Sequence, residues 1–101
     1  MKNKKKYKRY AEIMRLVLVQ FKVDGMFICW TLDNIYERGS ISANELQNLT
    51  DWIDKQLGEH NSYGGWLNDN GSTLYSYNNK IEGRVQWIEA MIAQLDVWAT
   101  E

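Results

Sequence analysis

The sequence predicts a mainly α-helical domain, a compact four-helix fold with a short β-hairpin or ordered glycine-rich loop before the last helix. Three observations carry that expectation. Apolar residues recur at spacings of three and four through four separate segments, the period of one helix face. Proline is absent from all 101 residues, so nothing in the chain forces a long helix to break. Four of the seven glycines, Gly58, Gly64, Gly65 and Gly71, gather in one stretch ahead of the last helical segment.

The first helix is expected over residues 6–22. Ile13, Met14, Leu16, Val17, Leu18, Val19 and Phe21 make its second half apolar nearly all round, the mark of a central, buried helix. Asp24 and Gly25 end it. The second helix is expected over residues 26–38, with Ile28, Leu32, Ile35 and Tyr36 on one face and Gly39 as its stop. The third opens on S-x-x-E: Ser42 and Glu45 form a capping box, and Ile41 stands before the cap as the staple residue. Leu46, Leu49, Ile53 and Leu57 then share a face, and Gly58 is expected to close the helix.

The next twenty residues are too many for a structureless loop in a compact domain. Asn70-Gly71 signals a tight turn and residues 73–77 alternate in strand fashion, so a hairpin is expected over residues 63–77. The last helix is expected over residues 79–98. Ile81, Val85, Ile88, Ile92 and Leu95 make its core stripe, and Trp87, Met91 and Trp98 make a second one. Two apolar stripes exceed what a small core readily covers. A homo-oligomer, dimer or higher, is therefore expected; the alternative is that the first helix and the hairpin cover both stripes within one chain.

The length suits one domain. A hydrophobic fraction of 45% with 25% charged residues is that of a folded protein. The net charge of −1 hides a segregation. Lys2, Lys4, Lys5, Lys6, Lys8 and Arg9 are half of the cations, whereas residues 10–101 carry six cations against thirteen anions, a net of −7. Residues 1–9 are read as a basic, flexible arm and residues 10–101 as a single helical domain. The single cysteine, Cys29, excludes an internal disulfide and fits a reducing cytoplasm. The apolar run at residues 13–21 is broken by Arg15 and Gln20, so neither a secretion signal nor a membrane span is expected.

Enzyme chemistry has little to work with, and the protein is expected not to be an enzyme. Nucleophilic catalysis needs a nucleophile, a base and an orienting group, but the only His, His60, and the only Cys are not paired by any spacing. Cys29 reads as a small core residue. No metal is expected: zinc lacks its Cys and His ligands. The stretch Asn68-Asp69-Asn70-Gly71 also fails as a calcium loop, because Trp66 and Tyr77 would stand at its first and last ligand positions. No cofactor is implied. Asp33 with Glu37, and Asp51 with Asp54, read as solvated helix faces. Nucleic-acid binding is not expected, since the helix that would enter a groove carries Glu45, Asp51 and Asp54 against Lys55 alone.

The remaining chemistry is aromatic and amide. Trp66, Asn68, Tyr75 and Asn79 precede or open the last helix, with Lys80, Arg84 and Trp87 following. Rings stack on flat ligands, amides read their edges, and a guanidinium binds phosphate in two-point fashion. Trp66, Tyr75 and Trp87 are the candidate stacking residues, Asn68 and Asn79 the edge readers, and Lys80 and Arg84 the phosphate contacts. Plain packing is the competing reading, and it is the one taken for Trp52 and Trp98.

Ile28-Cys29 opening a helix, then Arg38-Gly39-Ser40-Ile41-Ser42 with Glu45, Trp66, and Arg84-x-x-Trp87-Ile88 resemble a recurrent group of small accessory proteins of tailed bacteriophages, over roughly residues 27–92. The chain departs from that group at Phe27, where Gly is usual, at Gly83, where Pro is frequent, and in a longer glycine-rich insertion. That group mostly lacks assigned activity, so the resemblance implies a phage origin; by analogy, small phage proteins of this size commonly act in the host cytoplasm by binding and blocking its defences. The corresponding expectation is a protein that sequesters a small nucleotide-type immune signal. The alternative is an inhibitor that covers a host defence or nucleic-acid enzyme with its acidic surface.

Overall fold

A computed structural model describes residues 3–24, 27–60 and 81–100. Among them are four helices and no strand: α1 (Lys4–Asp24), α2 (Ile28–Glu37), α3 (Ala43–His60) and α4 (Ile81–Thr100). The hairpin expected over residues 63–77 lies outside the described residues.

α1 and α4 pack along each other and form the spine of the core. α1 buries Tyr10, Ala11, Ile13, Met14, Val17 and Phe21, and α4 answers with Trp87, Ile88, Met91, Ile92 and Leu95. α2 adds Ile28, Leu32 and Ile35, and α3 adds Leu49 and Ile53. At the other edge a set of rings joins three helices. Tyr7 meets Trp98 with centroids 5.3 Å apart, Tyr10 meets Trp52 at 5.4 Å, and Trp52 meets Trp98 edge-on at 6.4 Å. Trp52 and Trp98 thus pack against the core, each half-buried. Arg15 of α1 pairs with Asp96 of α4 at 2.5 Å.

The corner between α2 and α3 is made by local chemistry. Gly39 adopts φ +80°, the left-handed region that glycine enters without a Cβ clash. The Ser40 amide donates to the Ile35 carbonyl at 3.2 Å and the Gly39 amide to that of Tyr36 at 2.9 Å. These are the paired bonds of a Schellman ending, and they satisfy carbonyls the helix would leave open. Two residues later the capping box forms. The Glu45 amide donates to Ser42 Oγ at 3.1 Å, and the Ser42 amide donates to Glu45 Oε1 at 3.0 Å. Ile41, the staple residue, is buried.

Four expectations are corrected. α1 is not apolar-packed all round: Leu16, Val19 and Val23 are exposed on the side away from its buried face. Its helix starts at Lys4, two residues before the expected start, and carries Lys4, Lys5, Lys6, Lys8 and Arg9 in its first turns. Gly58 does not end α3, which runs on to His60, because a glycine inside a helix costs only about 1 kcal/mol. Tyr36 is exposed although it shares the apolar face of α2 in sequence. In the second stripe of α4, Trp87 and Met91 are fully buried and Trp98 sits on the ring cluster.

Candidate functional site

Arg84 lies in the first turn of α4, half-buried. Its guanidinium carbon stands 4.9 Å from the centroid of the Phe27 ring. Phe27 is the residue before α2, in extended backbone conformation, with no side-chain cap of its own. Its carbonyl oxygen accepts both the amide and the hydroxyl of Thr31, each at 3.1 Å. Thr31 is buried, so this pair of hydrogen bonds anchors Phe27 from the interior and leaves its ring at the surface. Trp30, one turn on, meets that ring edge-on with centroids 4.9 Å apart and planes at 69°. Phe27 is 43% exposed and Trp30 60%, so both rings present surface to solvent.

A cation over an exposed ring is worth about 0.5–1 kcal/mol, too little to explain two large exposed rings by stability alone. A guanidinium carries five N–H donors in a planar fork that matches a phosphate or carboxylate. The cluster therefore combines an anion donor with flat apolar surface within one neighbourhood. That combination suits a planar anionic molecule: the donors take the phosphate or carboxylate, and the indole takes the flat part.

Of the residues singled out in the sequence, Arg84 belongs to this cluster. Trp87, one turn further along α4, does not. It is 0% exposed, with no face of its indole left for a ligand to stack on, and it serves the core. Trp66, Asn68, Tyr75, Asn79 and Lys80 lie outside the described residues. Phe27 and Trp30 are the additions. Trp30 carried a readable signal: it falls off the Ile28–Leu32–Ile35 face of α2, and a large ring off the apolar face of an amphipathic helix is left outside.

The other reactive groups stand apart. Cys29 is exposed rather than a core residue. Partial desolvation by its neighbours, then the carboxylates of Asp54 and Asp33, push its thiol up from 9.0, which keeps it protonated and weakly nucleophilic at neutral pH. Asp33, Glu37, Asp51 and Asp54 are exposed, as the solvated-face reading expects. Among the described residues no three His, Cys, Asp or Glu side chains stand close enough to hold a metal ion. No described helix is long and apolar enough to cross a membrane.

Comparison with protein-family models, with curated proteins and with solved structures returns no match.

Proposed function

We propose that the protein is a non-enzymatic binder of a small, planar, anionic molecule of the nucleotide type, acting by capture in the host cytoplasm as a phage counter-defence protein. The observation that carries this reading is the Arg84 guanidinium 4.9 Å from the Phe27 ring, with Trp30 exposed against that ring. Arg84 holds phosphate, and Trp30 with Phe27 offers the stacking surface. The sequence adds Trp66, Asn68, Tyr75, Asn79 and Lys80 as candidate contacts, all outside the described residues. The phage assignment rests on the sequence resemblance. Two of that resemblance's departures, Phe27 and Gly83, are the ring under Arg84 and the residue beside it.

Native mass spectrometry with cyclic dinucleotides and NAD-derived nucleotides tests it. An intact ligand mass on the wild type, lost in Arg84→Ala and in Trp30→Ala, is the expected result. Unchanged binding in both variants refutes the site, and release of a chemically altered ligand refutes capture.

A second reading is an inhibitor that covers a basic host protein. It is favoured by the exposed side of α2, where Trp30 and Tyr36 stand with Asp33 and Glu37 and no cation lies within the helix. Aromatic residues of this kind dominate protein interfaces. A stoichiometric host protein retained from lysate, together with no nucleotide adduct, would favour it over the first.

A further inference from the structure

The face of α1 turned away from the core carries Leu16, Val19 and Val23, which are 44%, 68% and 77% exposed. With Glu12 ahead of them they recur at spacings of four, three and four, the register of a coiled-coil seam. Single exposed apolar residues need no explanation, but a row in register on one helix face does. Beside the row runs a groove of about 170 Å³ lined by Leu16, Val19, Gln20, Ile35, Arg38 and Ser40. Its size suits one inserted aliphatic side chain.

We infer that a second copy of this chain docks here, α1 against α1 in antiparallel fashion about a two-fold axis. Charge selects the occupant and its direction. A parallel pair would set the exposed Lys4, Lys5, Lys6 and Lys8 of one copy beside the same residues of the other. The antiparallel pair carries each lysine-bearing end past the carboxyl end of the partner's α1, where helix carbonyls attract cations. Residues 10–101 of the partner carry six cations against thirteen anions, a net of −7. In seam register, Leu16 of one copy meets Val19 of the partner, and Val23 meets the methylene stem of Glu12. The Glu12 carboxylate then lies near the partner's Lys22, and both residues are exposed in the single chain.

The interface uses neither Arg84 nor Trp30, so it stands apart from the ligand reading. Light scattering behind size exclusion, run on the full chain, tests it. The wild type should show twice the 11.9 kDa of one chain, and Val19→Glu should show one chain with an unchanged helical spectrum. A monomeric wild type, or a Val19→Glu protein that keeps its partner, overturns the proposal. Direction is read by mild oxidation of mixed single-cysteine chains, Glu12→Cys with Val23→Cys, each also carrying Cys29→Ser. The mixed disulfide is expected; disulfides between like chains alone overturn the antiparallel arrangement.

Discussion

Arg9 and Glu45, separated by 36 positions, form a two-point ion pair: Nε lies 2.5 Å from Oε2 and Nη2 lies 3.3 Å from Oε1. The same carboxylate accepts the Ser42 amide at 3.0 Å. Glu45 thus closes the start of α3 and ties it to α1 in one step. The Arg9 hydrogen bond first, and the Ser42 amide second, hold the Glu45 carboxyl down to about 2 from 4.5. A depressed carboxyl stabilises the fold above its unfolded value and loses that contribution as pH falls through its folded value. Wild type should therefore exceed Glu45→Gln in stability above pH 4.5, with the gap closing toward pH 2. Solvent reaches both side chains, 41% and 31% exposed, so the gap should be only about 1 kcal/mol. Urea midpoints of the two proteins across that range check it; a gap that ignores pH would assign the effect to packing.

Ser42→Ala removes the oxygen that accepts the Glu45 amide. The loss should be about 1 kcal/mol, or roughly 4–8 °C in Tm for a domain of this size. Ser42→Asp, which keeps an acceptor at the cap, should recover most of it in the same thermal scan.

Gly39→Ala isolates a backbone cost. A Cβ there meets no atom within 4 Å, so crowding contributes nothing, but φ is +80°. The expected destabilisation is about 1–2 kcal/mol. Gly39→Asn should cost less, because asparagine tolerates this region better. Equal losses for both variants by chemical denaturation would point away from backbone strain.

Trp30 and Trp87 should separate binding from stability. Trp87→Ala empties a fully buried position and should cost about 3–5 kcal/mol. Trp30→Ala, at a 60% exposed position, should stay within about 0.5 kcal/mol of wild type while losing ligand affinity. Denaturation curves set beside ligand titrations of both variants give the comparison.

Cys29 should react slowly with iodoacetamide at neutral pH although it is exposed, because its thiol is pushed up by partial desolvation and by Asp54 and Asp33. Rates followed by mass spectrometry should rise on replacing Asp54 and Asp33 with Asn. A rate matching a free thiol in the wild type would show that those neighbours have no hold on it.

Local chemistry was the most legible part of the fold. Ser42, Glu45 and Gly39 act within a few residues of themselves, so their roles follow from side-chain type and spacing. The core stripes of α3 and α4 were legible at Leu49, Ile53, Ile88, Ile92 and Leu95, which are buried. The two faces of α1 were not. Its second half is apolar nearly all round, and periodicity alone cannot say which side meets α4 and which is left with Leu16, Val19 and Val23. The candidate site was legible at Arg84 and not at its partner ring. Phe27 and Arg84 are joined by tertiary packing across most of the chain, which no local pattern encodes. The burial of Trp87 was not legible, because a tryptophan near a candidate site looks alike in sequence whether it is core or contact.

The corner between α2 and α3 has a kinetic meaning. The Schellman bonds and the capping box are separated only by Ile41, and each bond joins residues no more than five positions apart. Closing such short loops takes far less chain entropy than joining α1 to α4. This corner can therefore be ordered in the folding transition state, before the distant helices dock. Gly39→Ala would then slow folding more than it speeds unfolding, whereas Trp87→Ala would act chiefly on unfolding. The order of assembly would run from a five-residue turn outward, with the long helices as the late arrivals.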